Sequence, residues 1–350
     1  MGSTKYYDMT SDCYLDVLII TTAHSAEDGR LIRHQKSLKR SGLNSRIICV
    51  LYESRFERFF LAPIRVYKTV KALNPRCVLL PDPELHLLVT PLLSRNYAVI
   101  SDVHEDYLSV LEDRKWIKAL FKPLLKTLLK ILPKVRDRFS DQVIVASSSL
   151  VQSSEVVIEN IPHIDDLSSK ERRERMRAVY VGDIRSSRGL ERMFSLLLDI
   201  PGLYIDLIGP CSEEDRLSEL IEEHQLQERV IWHGRLPYEE SWRIASKSSV
   251  GLCLLESTPA FDKAIPSKIW EYWALGLPVI TSELAEMSSL IRKVNGGFVL
   301  DGNQNVEELR MWLGDDDELL ESGKRGQAFF ESESLKNTNN LSDVVSHLIE

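Results

Sequence analysis

Short apolar runs alternate with amphipathic stretches along almost the whole chain. The apolar runs are five to seven residues long and rich in Val, Ile and Leu, whereas the stretches between them repeat apolar positions every three or four residues. Strands that are apolar on both faces, separated by helices, are typical of parallel sheets covered by helices on both sides. The runs predicted as strands are 16–21, 45–51, 77–81, 97–101 and 142–147 in the first half, and 177–182, 203–209, 229–234, 249–255 and 277–282 in the second.

This rhythm occurs twice, which predicts two Rossmann-like domains. The chain has 350 residues, about twice the common domain length of roughly 150 residues. The segment 165–177 is polar and lacks apolar periodicity, so it is the best candidate for a linker. We therefore predict an α/β protein with an N-terminal domain over 1–160, a linker over 161–176, a C-terminal domain over 177–330, and a tail or closing helix over 331–350.

The composition argues against several classes of protein. The hydrophobic content is 43% and the charged content 27%, as in a soluble globular enzyme. The net charge of −8 at pH 7 argues against a nucleic-acid partner. The five cysteines are far apart and mostly lie in apolar runs, so we expect core thiols in a reducing compartment. The sequence shows no leader peptide or membrane-spanning run, so we expect a cytoplasmic protein.

The first strand of the second half ends in a glycine and is followed by a basic loop. Gly182 closes the strand, and the loop that leads to a helix near Gly189 carries Arg185 and Arg188. Such a loop offers free backbone N–H groups and the positive end of a helix dipole to an anion. Because arginine binds phosphates through two parallel hydrogen bonds, the loop is a candidate diphosphate site. The alternative is a solvated loop with two surface arginines.

A second candidate lies between the last two predicted strands. Ser267 is expected to cap a helix that begins at Lys268 and stops before Gly276. Glu271 lies one turn into this helix, where its carboxylate can accept hydrogen bonds from both hydroxyls of a ribose. A carboxylate in the first turn of a helix also commonly compensates the helix dipole, which is the structural alternative.

The order of these motifs resembles a known family. The segments YVGDIRSSRGLERMF, VIWHGRLPYEE and IPSKIWEYWALGLPVI resemble the nucleotide-binding half of retaining glycosyltransferases of the GT-B fold, and of family 4 in particular. In the first half, EDGRLIRHQKSLKRSG, LLPDPELHLL and ISDVHEDY resemble acceptor-domain motifs of the branch that acts in bacterial cell-surface polysaccharide synthesis. The resemblance spans roughly 16–300 and implies two Rossmann-like domains whose parallel sheets face a central crevice.

The resemblance implies roles for residues on the donor side. Arg185 and Arg188 would bind the donor diphosphate and stabilise the charge that develops on it. No divalent cation or other cofactor is required, and the donor is expected to be a UDP- or GDP-sugar. The other residues expected around the nucleotide, beside Gly182, are Ser267 and Lys268 for phosphate, Glu271 for ribose, and Arg235 and Leu236 for the base.

One position departs from the family pattern. Family members often carry a second glutamate eight positions before the ribose-binding glutamate, and this sequence has Lys263 there. Lys263 belongs to the loop that is expected to touch the transferred sugar. Some branches also lack that glutamate, so the substitution is compatible with activity and leaves the sugar open.

On the acceptor side, polar residues follow three of the predicted strands. His104 follows the fourth strand and, by the resemblance, would lie close to the reacting sugar; a lone histidine is otherwise most often structural. Asp28 and Arg30 follow the first strand, where an acceptor hydroxyl would approach, and Asp82 and Glu84 follow the third. Two carboxylates around a proline are weak evidence for a metal, so no metal site is predicted.

The stretch 113–138 is basic and amphipathic. It has a net charge of +7, and lysines recur every four residues from Lys118 to Lys134 between leucines and aromatic residues. Pro123 and Pro133 are expected to kink or end its helices. This composition is typical of a helix lying on an anionic membrane surface, and equally of a solvent-facing helix with a lysine face.

The sequence thus predicts a glycosyltransferase that moves a sugar from a nucleoside-diphosphate sugar to a hydroxyl of a saccharide or lipid-linked acceptor. The reaction would retain the anomeric configuration and serve surface polysaccharide or glycoconjugate synthesis, in the cytoplasm or peripherally at the inner face of the membrane. Two alternatives stay open: a nucleotide-sugar epimerase on the same fold, and an inactive GT-B subunit that binds or scaffolds, which Lys263 motivates. Neither first strand is followed by a GxGxxG loop, which argues against a dehydrogenase.

Overall fold

The computed structural model describes residues 14–25, 28–50, 52, 55–108, 111, 122–162, 173–259, 261–302 and 305–350. The chain divides into two compact units. Unit 1 comprises the residues up to Asn160 together with Leu335–Glu350, and unit 2 comprises Ile161–Ser334. Of the linker expected over 161–176, residues 163–172 lie outside the described residues.

Unit 1 is built on a parallel sheet in the order β2-β1-β3-β4-β5-β6. The strands are β1 Val17–Thr21, β2 Ser45–Cys49, β3 Cys77–Leu80, β4 Ala98–Val103, β5 Gln142–Val145 and β6 Val156–Val157. The helices are Gly29–Arg40, Arg55–Leu73, Pro83–Leu88, Thr90–Leu93 and Lys122–Phe139. All residues of β1 and β3 are buried, as expected for strands that are covered on both faces.

Unit 2 is built on a second parallel sheet, in the order β12-β11-β10-β7-β8-β9. The strands are β7 Arg177–Val181, β8 Tyr204–Ile208, β9 Val230–Trp232, β10 Val250–Cys253, β11 Val279–Ser282 and β12 Gly297–Leu300. The helices are Leu190–Asp199, Glu214–Glu223, Tyr238–Ala245, Ser267–Ala274, Ala285–Val294, Val306–Gly314 and Asp316–Ile349.

Each sheet contains one point at which the strand order reverses. In unit 1 the chain adds β2 on one side of β1 and β3 on the other, and in unit 2 it adds β8 on one side of β7 and β10 on the other. Ligands of open parallel sheets bind beyond the carboxyl ends of the strands at such a point. The topology therefore predicts that ligand-binding residues follow β1 and β3 in unit 1, and β7 and β10 in unit 2.

The long helix Asp316–Ile349 contributes to both units. Phe330 is buried in the core of unit 2, whereas Leu341 and Val345 are fully buried in unit 1 against residues of β1 and β3. Residues 331–350, expected as a tail or a closing helix, contain the end of this helix and the last residue, Glu350.

The ten strands predicted from the apolar runs are confirmed, each to within two residues at either end. β6 and β12 were not among the predicted strands; they have only two and four residues. The prediction that Ser267 caps its helix is wrong, because the helix begins at Ser267 and Pro266 precedes it without a side-chain cap. Pro133 was expected to kink or end a helix. It lies inside the helix Lys122–Phe139 and does not end it, since a proline removes one hydrogen bond and the flanking turns still form.

The cysteines that the structure describes are free thiols. Cys77, Cys211 and Cys253 are buried and Cys49 is half-buried, in agreement with core positions, while Cys13 lies outside the described residues.

Candidate functional site

In unit 2 the chain turns sharply between β7 and the following helix. Gly189 has φ +88°, and a Cβ atom there would overlap the carbonyl group of Leu254, the first residue after β10. Gly182 has φ +148°, and a Cβ atom there would lie only 3.0 Å from the Lys268 Nζ. Glycine tolerates both the positive φ and the close approach. The loop between the two glycines is therefore held against the segment that follows β10.

Two cations lie at this edge of the sheet without a carboxylate partner in the described part of the chain, namely Arg188 and Lys268. Lys268 is only 8% exposed, and its Nζ lies 3.8 Å from the centre of the Tyr180 ring. The Arg188 guanidinium carbon lies 4.7 Å from the centre of the Phe261 ring. Burial raises the pKa of the Cys253 thiol at the end of β10 to about 11, while Lys268 and Arg188 act to lower it, which shows that both charges reach this point.

Arg185, in the same loop, is more open and has a nearby carboxylate. Its side chain is 38% exposed, and its Nε lies 3.3 Å from Asp183 Oδ2. The Tyr180 hydroxyl donates a hydrogen bond to the Asp183 carbonyl at 2.8 Å, which fixes the start of the loop. Asp183 therefore compensates part of the charge of Arg185, whereas no carboxylate among the described residues compensates that of Arg188.

Glu271 lies on the helix Ser267–Ala274 and is only 6% exposed. Its Oε1 accepts a hydrogen bond from the Tyr238 hydroxyl at 3.4 Å. The helix is fixed by its neighbours: the Tyr272 hydroxyl accepts a hydrogen bond from the Val181 N–H at 3.0 Å, and the Trp273 Nε1 donates to the Gly296 carbonyl at 2.8 Å. The position of Glu271 relative to β7 is thus set by buried contacts.

The remaining donor-side residues lie after β9 and around the start of the helix Ser267–Ala274. Arg235 follows β9 and is exposed, and Leu236 packs against the core of unit 2. Lys263 is exposed in the loop before the helix Ser267–Ala274, and Ser267 itself is half-buried. The described contacts bring Gly182 and Lys268 together, and none of them joins Arg235 to that pair.

In unit 1, Asp82 follows β3 and is completely buried. Its carboxylate accepts hydrogen bonds from the hydroxyls of Thr21 and Thr22 at 3.0 to 3.1 Å. It also accepts from the backbone N–H groups of Thr22 at 2.6 Å and Ala23 at 3.2 Å. Through these contacts Asp82 holds the segment that follows β1 in place.

Arg30 is likewise buried, with 5% of its surface exposed. Its Nε and Nη2 donate to the two oxygens of Asp102 at 3.0 and 2.5 Å, and its Nη1 donates to the Ile158 carbonyl at 2.9 Å. His34 lies 3.0 Å from the same carboxylate. The helix Gly29–Arg40 turns this side chain toward β4, where Asp102 neutralises it, so any role toward an acceptor stays a prediction.

His24, which the sequence analysis did not single out, occupies the edge of the sheet beside β1. Its Nδ1 lies 3.0 Å from Asp28 Oδ2 and its Nε2 lies 3.5 Å from Asp82 Oδ1. The rings of His24 and His104 are 5.4 Å apart between centroids. His24 is 33% exposed at its side chain, so it is the open member of this cluster. The signal in the sequence was its position three residues after the strand and four before Asp28.

The charges of this cluster follow from its contacts. The hydrogen bond to Asp28 raises the pKa of His24 above its ordinary value, against the opposing effect of burial. Burial pushes the pKa of Asp28 upward, but hydrogen bonds from His24, Leu31 N–H and Arg30 N–H outweigh it and lower the pKa to about 2. Asp28 is therefore an ionised N-cap of the helix Gly29–Arg40, paired with His24.

His104 is neutral at pH 7, because burial lowers its pKa to about 4 despite the nearby Asp102 carboxylate. Its Nε2 lies 3.0 Å from the Pro81 carbonyl, which only accepts hydrogen bonds. Nε2 therefore carries the proton, and Nδ1 is an acceptor.

Glu84 completes the polar edge of unit 1. Its Oε1 lies 2.9 Å from the Arg58 Nε and 3.4 Å from the Thr22 hydroxyl. Burial raises the pKa of Glu84, as does the neighbouring Asp82. The polar edge of unit 1 thus consists of Asp28, Asp82, Glu84 and His104, together with His24, at the carboxyl ends of β1, β3 and β4.

Two general findings bear on the chemistry. In the described part of the chain, His, Cys, Asp and Glu side chains do not cluster in threes in a way that would hold a metal ion. Among the helices within the described ranges, none combines the length and hydrophobicity needed to cross a membrane.

Comparison with known proteins agrees with this architecture. Residues 165–325 match the family model of the glycosyl transferases group 1, so unit 2 carries the segment that this family shares. One relative, a chitobiosyldiphosphodolichol beta-mannosyltransferase from Yarrowia lipolytica, is 26% identical over 129 residues, which are 37% of this chain and 27% of the relative. The chain therefore matches only about a quarter of that protein's length. The family match supports glycosyl transfer.

Solved structures confirm the predicted fold class. Sucrose-phosphate synthase from Thermosynechococcus elongatus superposes with a TM-score of 0.74 at 14% identity, over 95% of this chain and 98% of that one. Anabaena HepE in complex with UDP gives 0.73 at 11% identity, over 95% and 100%. WaaG, a glycosyltransferase involved in lipopolysaccharide biosynthesis, gives 0.64 at 12% identity, over 94% and 99%. The fold is GT-B, with two Rossmann-like domains.

Proposed function

We propose that the protein is a retaining glycosyltransferase of the family 4 type. Its fold is GT-B, and its second unit matches the glycosyl transferases group 1. It would move a sugar from a nucleoside-diphosphate sugar to a hydroxyl of a saccharide or lipid-linked acceptor, in surface polysaccharide or glycoconjugate synthesis. The observation that carries this proposal is the pair Arg188 and Lys268, two cations without a carboxylate partner among the described residues, beside the glycine-flanked loop after β7.

The diphosphate of the donor would bind at these cations. When the bond between the anomeric carbon and the phosphate breaks, negative charge develops on the leaving diphosphate. Arg188 and Lys268 would stabilise that charge, with Arg185 released from Asp183 to assist them. For retention, the acceptor hydroxyl attacks from the side that the diphosphate leaves, and the donor phosphate accepts the hydroxyl proton. This mechanism requires no nucleophile from the protein.

Glu271 would bind the ribose of the donor. It lies one helical turn from Lys268, so a nucleotide whose diphosphate contacts Lys268 has its ribose within reach of this carboxylate. In the structure, Tyr238 donates to Glu271, and a ribose hydroxyl is a donor of the same kind. We infer that the ribose takes over this hydrogen bond when the nucleotide binds.

The acceptor would bind at the polar edge of unit 1. His24 and Asp28 form the half-exposed pair there, and the neutral His104 presents its Nδ1 as an acceptor for a sugar hydroxyl. Asp82 and Arg30 would act indirectly, because both are buried and saturated by contacts within unit 1.

A nucleotide screen tests the donor site. We expect UDP or GDP, and the matching nucleotide sugar, to raise the melting temperature of the protein, whereas Glu271→Ala should weaken binding by about tenfold or more because the ribose loses a charged hydrogen-bond partner. Thermal shift followed by calorimetry measures both effects. Glu286→Ala, in the first turn of another helix of unit 2, is the matched control and should bind as the wild type does.

The outcomes separate the alternatives. Wild-type protein that binds neither UDP, GDP, ADP nor their sugars contradicts the enzyme proposal and favours a scaffold. Conversion of the donor sugar to its epimer without acceptor identifies an epimerase, whereas slow hydrolysis of the donor agrees with a transferase. Unchanged affinity in Glu271→Ala shows that the ribose lies elsewhere.

We further propose that the helix Lys122–Phe139 binds an anionic membrane surface. Leu124 and Ile131 are exposed seven residues apart, on one face of the helix, and Lys130 and Lys134 are exposed next to them. Exposed apolar side chains flanked by lysines are typical of helices that lie in the lipid headgroup region. The first part of the basic stretch, residues 113–121, lies outside the described residues.

Vesicle flotation tests this helix. With phosphatidylglycerol-containing vesicles at about 0.1 M salt, we expect the wild type to float, and a variant in which Lys122, Lys126, Lys130 and Lys134 are changed to Glu to remain in solution, since each lysine contributes about 1 kcal/mol near such a surface. The control reverses four lysines of other helices and should float as the wild type does: Lys36, Lys39, Lys68 and Lys71. Equal flotation of all three proteins contradicts the proposal.

A further inference from the structure

Aromatic faces, rather than carboxylates, lie against both cations of the proposed diphosphate site. Lys268 lies over Tyr180 and Arg188 over Phe261. The two buried arginines in the described part of the chain are paired with carboxylates: Arg30 with Asp102, and Arg136 with Glu155. The two residues that we assign to the diphosphate therefore share an unusual type of partner.

An aromatic face holds a cation without cancelling its charge. The ring attracts the cation through its quadrupole, which offsets part of the cost of burial, but it contributes no net charge. A carboxylate in the same place would neutralise the cation and repel a diphosphate. A ring partner therefore keeps a buried lysine in place while its full charge stays available to an anion.

Tyr180 is fixed so that its ring can hold Lys268. The residue is fully buried in β7, and its hydroxyl donates to the Asp183 carbonyl at 2.8 Å. The ring and the Lys268 Nζ both lie against Gly182, where a Cβ atom would be 3.0 Å from Nζ and 3.3 Å from the Tyr180 hydroxyl oxygen. The Tyr180 side chain thus fixes both the start of the loop after β7 and the position of Lys268.

We propose that Tyr180 and Phe261 are positioning residues. Their ring faces hold Lys268 and Arg188, respectively, so that two uncompensated positive charges are in place to bind the donor diphosphate. The inference rests on the proposed function, because it assigns these two cations to the diphosphate. It also gives the loop that carries Lys263 a role, since Phe261 lies two residues away from that position.

A double-variant cycle on UDP and GDP binding tests the proposal. We expect Lys268→Met and Tyr180→Leu each to weaken the affinity of the better nucleotide by about tenfold, and Tyr180→Phe, which keeps the ring, to stay within about threefold of the wild type. In the Lys268→Met background, Tyr180→Leu should add less than a twofold effect, because its effect acts through the lysine. The salt dependence of binding should fall in Tyr180→Leu to that of Lys268→Met.

The second pair keeps the proposal testable if Tyr180→Leu does not fold. Phe261 is only partly buried, so Phe261→Leu should fold, and its effect should likewise vanish in an Arg188→Met background. If the ring variants lose as much nucleotide affinity in the Lys268→Met and Arg188→Met backgrounds as in the wild type, the inference is overturned and the rings contribute to packing alone. If Lys268→Met and Arg188→Met bind UDP and GDP as the wild type does, the diphosphate assignment of the proposed function fails instead.

Discussion

Replacing Arg188 by methionine should lower the rate of donor-sugar cleavage by about 10²- to 10³-fold, the range found when one group that stabilises a developing negative charge is removed. The physical reason is that Arg188 has no carboxylate partner among the described residues, so its whole charge is available when the diphosphate leaves. Methionine keeps much of the apolar contact with Phe261 and removes only the charge. The measurement is the hydrolysis of the nucleotide sugar that the screen selects, with and without acceptor.

The control for this variant is Arg243→Met, on the exposed face of the helix Tyr238–Ala245 and close to Glu240. It should cleave the donor at the wild-type rate, since its charge is already paired and exposed. A loss of less than about threefold in Arg188→Met would contradict the role of Arg188 in the reaction, because removing one group that stabilises a developing charge costs more than that.

Replacing Arg30 by methionine should lower the free energy of unfolding by about 3 to 5 kcal/mol, because it leaves the buried Asp102 without its cation. Arg30 donates two hydrogen bonds to Asp102 and a third to the Ile158 carbonyl, so the substitution also leaves that buried oxygen with one partner fewer. Urea unfolding followed by tryptophan fluorescence and far-ultraviolet circular dichroism measures the effect.

The double variant Arg30→Met with Asp102→Asn should recover a large part of this loss, because residue 102 then carries no buried charge that needs a cation. Nucleotide affinity should stay at the wild-type value in both proteins, since Arg30 belongs to unit 1 and the proposed donor site to unit 2. A stable Arg30→Met protein that has lost acceptor use would show that the original expectation, a direct role toward the acceptor, is correct.

The strands could be predicted from the sequence because parallel strands are buried on both faces and so appear as continuous apolar runs. β1 and β10 illustrate this, with every residue buried. The same rule fails for β6 and β12, which have only two and four residues and are mostly half-buried. A run this short and only partly buried leaves too few apolar positions for a pattern to be recognised.

The residues of the candidate donor site could be predicted where they lie on a single loop or a single helix. Arg185, Arg188, Lys268 and Glu271 could be named because glycines and helix ends mark their position in the sequence. Which of them lies buried, and on what, depends on residues far away along the chain. The Arg30–Asp102 pair spans 72 positions, and nothing local distinguishes such an arginine from one that faces a ligand.

The course of the helix Asp316–Ile349 limits how this protein can be divided for experiments. A gene fragment that stops at Ser334 would deprive the N-terminal half of Leu341 and Val345, which fill its core, even though those residues lie at the far end of the chain. The N-terminal half expressed alone would expose that apolar surface to water and would tend to aggregate. Isolated-domain work therefore needs the residues after 334 joined back to the N-terminal half through a designed linker.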